Sequence, residues 1–290
     1  MKIKDLREKW PVAYEYCLKT YNVKCAVAIA KHYRPIKLYK YYSFSDTFWE
    51  KNLFNHEIAF NFPSNFNDPM DSRWFLDYEK IYKERFKDIG EEWGFDIVGG
   101  KERFLDTIQL NEEDLMYLRD MFYVSCFSTN PYSSLMWGHY AEKHKGFCIE
   151  YDVKSLPENM RVLLPVIYTE KPFDASMILD MRGIEDKLAI LCPYLFKSVD
   201  WKYEKEWRIF IKNEGGGQQP LILNAPNAIS GVYMGLKSYL YDKQYESVEK
   251  WCVKNDVRLH QMERTYLSFD LVSDEIETIR SDKKIKGLLL

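Results

Sequence analysis

The chain has 290 residues, of which 46% are hydrophobic and 16% are aromatic. A chain of this length and apolar content buries a sizeable core, so its composition excludes an intrinsically disordered protein. Its 41 basic and 44 acidic residues give a formal charge of -3, which provides no overall attraction to nucleic acid or to an anionic membrane.

The cysteines and the amino terminus indicate the compartment. The six cysteines are scattered without a C-x-x-C pair, and MKIKDLREKW is charged where a signal peptide needs an apolar core. No apolar run approaches the roughly 20 residues that span a bilayer. We therefore expect a reduced, cytoplasmic protein with no membrane partner.

The first part of the chain predicts helices followed by strands. VAYEYCLKTY and VKCAVAIAKHY carry apolar residues at helical spacing until RPIK, so 1–35 is predicted as a helical N-terminal extension. KLYKYYSF (37–44) and EIAFNF (57–62) are typical of strands. The stretch between them, 46–54, predicts a helix capped by Asp46.

Strands dominate the rest of the prediction. A charged, helical insertion at about 74–120 precedes the strand MFYVSCFS (121–128), and NPYSSLMWGHYAEKHKG (130–146) predicts a short helix ended by glycine. Further strands are predicted at 146–153, 162–168, 201–210, 228–235 and, as the last, 257–263, with helices at 175–197 and 238–253 and a GGG hairpin tip at 215–217. Without repeats or an obvious linker, 36–290 is predicted as a single α+β domain.

The stretch WKYEKEWRIF (201–210) has an unusual polar face. Read as an extended strand, it places Glu204, Glu206 and Arg208 side by side, opposite the aromatic residues. These side chains either form solvated ion pairs with Lys202 and a neighbouring strand, or they form the wall of a site. The sequence leaves both interpretations open.

Several common functional motifs are absent. The sequence contains neither G-x-x-x-x-G-K-[ST] nor a G-x-G-x-x-G after a predicted strand, which disfavours both common nucleotide-binding folds. His139 and His144 are five residues apart and would diverge on a helix, so no metal site is predicted from them.

A weak nuclease signal follows the strand at 146–153. Asp152 and Lys154 have the D-x-K arrangement in which metal-dependent nucleases place a carboxylate for Mg²⁺ beside a lysine. The carboxylates Asp68 and Asp71, in a turn-rich loop, could complete the site. A turn residue and a solvated charge explain the same tripeptide.

Several long phrases resemble an uncharacterised bacterial family, domain of unknown function 2971. They are LYKYYSF, FPSNFNDPMD, SCFSTNPYSSLMWGHYAEKHKGFCIEYD and WKYEKEWRI, which lie in order over about 38–235. Some family members look like components of mobile-element or phage-defence loci. The resemblance therefore implies a toxin or defence-effector role without naming its chemistry.

A second resemblance is to ADP-ribosyltransferases of the R-S-E type. Their basic first-strand residue, Ser-Thr step and E-x-E are matched in order by Lys40, by Ser128 with Thr129, and by Glu204 with Glu206. Lys40 departs from the arginine or histidine of the pattern. The resemblance implies a split, mainly antiparallel sheet and NAD as the substrate.

The chemistry of NAD cleavage suits these residue types. Breaking the nicotinamide–ribose bond passes through an oxocarbenium-like state that a carboxylate, Glu206, would stabilise. Glu204 would orient or activate the acceptor, Ser128 would orient the ribose, and Lys40 would hold a phosphate. The remaining residues assigned to NAD are Tyr39, Tyr41, Thr129, Tyr132 and His139.

The favoured hypothesis is an NAD-consuming enzyme that modifies a protein or nucleic acid, or hydrolyses NAD. One alternative is a Mg²⁺-dependent nuclease built on Asp68, Asp152 and Lys154. The other is a non-enzymatic binding module whose aromatic and WGHYA phrases form a recognition surface. The enzyme hypothesis requires Lys40, Ser128 and Glu206 to line one cleft.

Overall fold

The computed structural model describes residues 3–86, 108–160, 162–180, 186–214 and 219–276. The α-helices of these parts are α1 (Ile3–Lys19), α2 (Val23–Tyr33), α3 (Trp49–Phe54), α4 (Tyr78–Phe86), α5 (Glu112–Arg119), α6 (Ser134–Tyr140), α7 (Ser176–Asp180) and α8 (Asp242–Lys254). The strands are β1 (Lys37–Tyr42), β2 (Glu57–Phe60), β3 (Phe122–Ser128), β4 (Phe147–Asp152), β5 (Leu163–Pro165), β6 (Ile167–Thr169), β7 (Phe196–Ser198), β8 (Glu206–Lys212), β9 (Leu221–Asn224), β10 (Ile229–Met234), β11 (Arg258–Arg264) and β12 (Leu271–Glu275).

One eight-stranded sheet organises the described parts of the chain. Its order is β12-β11-β10-β4-β1-β3-β8-β5, and only the β10–β11 pair is parallel. Two small sheets, β2 with β9 and β6 with β7, complete the strand pairing. The predicted mixture of helices with a mainly antiparallel sheet is therefore confirmed.

The main sheet nearly divides between β1 and β3. These strands pair only through Tyr39 and Ser128, whereas β1 and β4 pair over the whole of Lys37–Tyr42. On the other side, β3 and β8 pair over the whole of Phe122–Ser128. A gap in the ladder leaves room for side chains to enter between the two halves, and we call it the split.

The two N-terminal helices pack near the β5–β8 edge of the sheet. The Tyr14 hydroxyl donates a hydrogen bond to the Pro165 carbonyl at 3.1 Å, and the Trp10 ring lies 6.3 Å from the Trp207 ring. Helices α1 and α2 thus account for most of the described residues before 35, and they contact the main sheet. The division at residue 35 into extension and domain stays a prediction.

The predicted insertion at 74–120 contains α4 and α5. Helix α5 begins with a reciprocal capping box between Asn111 and Asp114. Residues 87–107 of the insertion and the predicted hairpin tip at 215–217 lie outside the described residues.

The prediction of a continuous strand at 201–210 is wrong in its first half. Residues Val199–Glu204 form a 3-10 helix, Lys205 adopts a left-handed φ of 47°, and the strand begins only at Glu206. Ser198 caps this turn through the Asp200 amide. The alternation of aromatic residues in 201–210 does not show that Ser198, just before this stretch, caps a turn there.

Two other boundaries differ from the prediction. The helix predicted at 175–197 is the short α7 followed by a 3-10 helix, Lys187–Leu195, that contains Pro193. The last strand is not the one predicted near 257–263, because β12 follows it and pairs antiparallel with β11. Within the described residues, no helix has the length and apolar character needed to cross a membrane.

Candidate active site

A cavity of about 290 Å³ lies beside the split. Strands β1 and β3, the loop at 61–71, the end of α6 and the segment around β7 and β8 all contribute to its walls. Six of the nine predicted site residues line it, namely Tyr39, Lys40, Tyr41, Ser128, Glu204 and Glu206. Thr129, Tyr132 and His139 are not among its lining residues.

Strand register brings three lining residues into one row. Tyr39 on β1 is paired with Ser128 on β3, which is paired in turn with Glu206 on β8. Directly paired residues project to the same face of a sheet. The row therefore crosses the split and places residues that are far apart in sequence beside one another.

Lys40 reaches the cavity from a different direction. It is paired with Ile149, so its side chain begins on the opposite face from Tyr39. Its ammonium group donates to Ser125 Oγ at 3.0 Å and to the Cys126 carbonyl at 3.2 Å. Burial lowers the pKa of Lys40, while Cys126 and Glu206 act in the opposite direction.

A buried network of charges forms one wall of the cavity. Arg208, which is 0% exposed, donates Nε to Glu206 Oε1 at 2.7 Å and Nη2 to Asp71 Oδ2 at 2.6 Å. Lys197 Nζ lies 2.6 Å from Glu204 Oε2 and 3.2 Å from Glu206 Oε2. The same ammonium lies 3.1 Å from Asp71 Oδ2. We call these five residues the charge network.

The predicted alternative of solvated ion pairs with Lys202 is wrong. Glu204 and Glu206 are 4% and 5% exposed, and their basic partners are Lys197 and Arg208. A buried charge is tolerated only when it is paired and hydrogen-bonded, because desolvation costs several kcal/mol per ion. Three acids against two bases leave one excess negative charge in the network.

The two glutamates of the network have opposite pKa shifts. Burial opposes ionisation of Glu206, but Arg208 and Lys197 outweigh it and lower the pKa of that carboxyl. Burial and then the negative charge of Glu206 raise the pKa of Glu204, against the effect of Lys197. One carboxyl is thus held ionised while its neighbour retains a proton more readily.

Tyr140 links Glu204 to the loop that covers the cavity. Its hydroxyl donates to Glu204 Oε1 at 2.6 Å and accepts from Asn67 Nδ2 at 3.0 Å. The residue lies in the last turn of α6, whose first turn is capped by Ser133. Burial, and then Glu204, raise the pKa of the Tyr140 phenol, so it remains a donor.

Ser128 holds the backbone that carries Glu204. Its hydroxyl donates to the Glu204 carbonyl at 2.7 Å and accepts from the Asn130 amide at 3.0 Å. The 3-10 helix end at Glu204 and the left-handed Lys205 turn both carboxylates toward Lys197. The two acids therefore meet at one ammonium group although they do not share a strand.

Sequence reasoning missed several residues of this site. Lys197 directly follows a run of apolar residues and is buried in the fold. A lysine inside apolar sequence is the one sign that could have marked it as a site residue, because lysines are almost never buried unless they are paired. Asp71 was considered only as a carboxylate of the nuclease alternative, and its partner Arg208 is 137 residues away. Tyr140 lies in the WGHYA phrase and carries no chemical signature of its own.

The residues of the nuclease alternative do not assemble. Asp152 accepts from the Lys154 amide at 2.9 Å and from Lys37 Nζ at 3.3 Å, whereas Asp68 lines a different cavity with Phe173. Across the described ranges, no group of three or more His, Cys, Asp or Glu is arranged to hold a metal ion.

Residues 136–209 match the model of a family described as "Protein of unknown function (DUF2971)". This confirms the predicted family resemblance over that segment, which contains Tyr140, Lys197, Glu204, Glu206 and Arg208. No curated protein and no solved structure matches the chain.

Proposed function

We propose that this cavity cleaves the nicotinamide–ribose bond of NAD on an ADP-ribosyltransferase-like split sheet. The ADP-ribosyl group passes to a macromolecule, or to water as in an NAD glycohydrolase. One observation carries the proposal: Glu204 and Glu206, with opposite pKa shifts, share a cavity with Ser128 and three tyrosines. Two carboxyls pushed apart in pKa are the usual means of glycosidic bond cleavage.

Glu206 supplies fixed negative charge in this mechanism. As the nicotinamide–ribose bond breaks, the bonding electron pair leaves with nicotinamide, which becomes neutral. Positive charge then develops on the ribose. Arg208 and Lys197 occupy both oxygens of Glu206, so it acts at electrostatic distance rather than by displacing its partners. Charge that is held in place before the reaction needs no reorganisation during it.

Glu204 is the group that exchanges a proton. In its ionised form it accepts the proton of the attacking water or acceptor hydroxyl, and its raised pKa makes it the stronger base of the pair. Tyr140 orients its Oε1 atom. Tyr39 and Tyr41 supply ring surface for the nicotinamide, and Lys40 offers an ammonium to a phosphate.

An NAD-cleaving activity would also account for a toxin or defence-effector role. Loss of NAD stops the metabolism of the cell, on which an invading phage also depends, and modification of a protein or nucleic acid acceptor inactivates that acceptor. Both outcomes require the same bond cleavage. The acceptor then decides between transfer and hydrolysis.

The test is release of nicotinamide from NAD by the purified chain, followed by chromatography with ADP-ribose as the second product. We expect release that persists when divalent cations are chelated. Absence of both release and NAD binding would refute the proposal. A melting temperature raised by Mg²⁺ and unmoved by millimolar NAD would favour the nuclease instead.

A further inference from the structure

A second cavity of about 330 Å³ lies outside the proposed NAD site. Ser134, the first residue of α6, and His144, four residues after the end of that helix, form one wall, and the β11–β12 hairpin forms another. Met136 and Tyr140 of the same helix line the first cavity. Helix α6 therefore separates two cavities that share no lining residue.

The backbone holds His144 in a strained turn. Glu142, Lys143 and His144 are consecutive residues with φ values of 50°, 55° and 70°. Left-handed backbone conformation is unfavourable for residues other than glycine, and such strain is kept where the surrounding structure imposes it. Gly235 packs against this turn, since a Cβ there would lie 2.3 Å from the His144 carbonyl oxygen.

The His144 ring is placed against aromatic surface beside two cations. It stacks on Trp137 with centroids 6.4 Å apart and an interplanar angle of 12°. Its Nδ1 atom is buried without a hydrogen-bond partner in the described parts of the chain. Burial, then Lys237 and Arg264, lower the pKa of the imidazole. A neutral ring therefore lies next to two positive charges.

The cavity has an excess of positive charge. Lys237 and Arg264 both line it, and within the described residues neither forms an ion pair. The acidic lining residue is Asp270, whose carboxylate accepts from Ser268 Oγ at 2.8 Å. The Ser134 hydroxyl adds a donor to this lining, whereas the Thr265 hydroxyl is bonded within the hairpin to the Ser268 carbonyl at 2.9 Å.

Apolar surface adjoins this charged part. Leu236 and Leu271 line the cavity, and Phe269 joins them from the hairpin. The side chains of Tyr266, Leu267 and Phe269 at the hairpin tip are fully exposed, at 103%, 100% and 104%. Exposed aromatic rings beside basic groups form stacking surfaces for nucleobases.

We propose that this second cavity binds a nucleoside phosphate, with the phosphate between Lys237, Arg264 and His144 and the base against Phe269 and the hairpin tip. The phosphate comes from a free nucleotide or from the end of a nucleic acid strand. Two cations provide the charge-assisted hydrogen bonds that a phosphate requires. This site is independent of NAD cleavage, so either proposal can fail alone.

The test uses the full chain and three phosphate probes, namely inorganic phosphate, AMP and a short single strand with a 5′-phosphate. The five histidine ring signals are followed by NMR, and His144→Gln assigns the relevant one. We expect AMP to raise the pKa of His144, because a bound anion favours the imidazolium. Comparison with the unphosphorylated strand separates a free nucleotide from a strand end.

Variants of the two cations make the test specific. Both side chains are exposed, so Lys237→Met and Arg264→Met should fold, and each should weaken AMP binding about tenfold. Lys243→Met, an exposed lysine on α8, is the matched control and should bind as the wild type does.

Equal affinity in all four proteins would overturn the proposal. So would the absence of any His144 shift with every phosphate probe. Binding to anionic lipid vesicles that depends on Leu267, without nucleotide binding, would instead assign the hairpin tip to a membrane surface.

Discussion

Glu206 of the charge network and Glu150 are buried carboxylates on the same face of one sheet, but the groups that surround them differ. Glu150, on β4, is 3% exposed. One of its oxygens accepts from Tyr39 and Tyr233 at 3.1 Å each, and the other accepts from Ser230 at 2.8 Å and Arg258 at 2.9 Å. This single acid is enclosed by donors.

The difference lies in the number of acids and in their access to a cavity. Burial acts to raise the pKa of Glu150, but the donors and cations around this carboxyl lower it. Glu150 therefore stays ionised in the folded protein. In the network, Glu204 and Glu206 compete for Lys197 and shift in opposite directions. A buried carboxylate is therefore a candidate catalyst only when a second acid shifts its pKa and when it lines a cavity that a proton donor or acceptor can enter.

Removing the buried arginine should produce the largest effect. Arg208→Met leaves the buried Asp71 and Glu206, together with Glu204, to share Lys197 as their remaining cation, so we expect a loss of about 3–5 kcal/mol in unfolding free energy. Arg258→Met at the Glu150 site should cost about 1 kcal/mol or less, because its side chain is 50% exposed. Denaturant unfolding measures both, and equal losses would contradict the comparison.

Removing the charge of Glu206 should abolish most of the proposed activity. Glu206→Gln keeps the shape but not the charge, so nicotinamide release should fall by on the order of 100-fold or more. Glu150→Gln is the matched control, a buried carboxylate outside the cavity, and should retain release within about twofold.

Melting curves must accompany these rates, since Glu206→Gln also weakens the pairs to Arg208 and Lys197. Rates are compared where each variant is fully folded. Similar loss of activity in Glu150→Gln would show that general destabilisation, and not the charge, is responsible.

NAD should stabilise the protein through the cavity. At about 100 times its dissociation constant, a ligand that binds only the folded state adds roughly 2.7 kcal/mol to the unfolding free energy. Tyr140→Phe keeps the ring but removes the hydroxyl that orients Glu204. It should leave this stabilisation nearly intact while slowing nicotinamide release. A wild-type melt that NAD does not move would contradict the assignment of the cavity.

Features that depend on neighbouring residues could be predicted from the sequence, whereas features that depend on contacts between distant residues could not. The alternation in 206–210 correctly placed Glu206 and Arg208 on one face, because strand period depends on neighbouring residues alone. The turn before it was missed, since the Ser128 hydroxyl reaches the Glu204 carbonyl across 76 residues. The order of motifs predicted that Lys40, Ser128 and Glu206 would line one cleft, as they do.

The remaining errors have the same cause. Lys197 and Asp71 meet across the fold, and the local sequence of neither residue identifies the other as its partner. Strand β12 was missed because Leu271 is its one buried residue. A single buried position gives no alternation of apolar and polar residues from which a strand could be predicted. Edge strands and tertiary ion pairs are fixed by partners that a local pattern does not contain.

The smallest expected effect is the pH dependence contributed by Glu204. Its pKa is raised in the folded protein, so from about pH 4.5 upward the unfolded chain ionises this group first. Stability attributable to Glu204 therefore falls as pH rises through that range. The pKa values of Glu206 and Asp71 are lowered, so their contributions are instead lost as pH falls below about 4.5.

Glu204→Gln isolates the first of these trends. Its amide oxygen still accepts from Tyr140 or Lys197, but it cannot ionise. Relative to wild type, the variant should gain stability as pH rises above about 4.5, until Glu204 also ionises in the folded wild type, and its acid unfolding should be unchanged. Denaturant unfolding at a series of pH values measures this difference, and Glu150→Gln should show the opposite trend because its carboxyl is already ionised in the fold. A stability difference that does not vary with pH would mean that Glu204 titrates as it does in the unfolded chain. The network would then be as fixed in protonation as Glu150, and its proposed proton exchange would lose its basis.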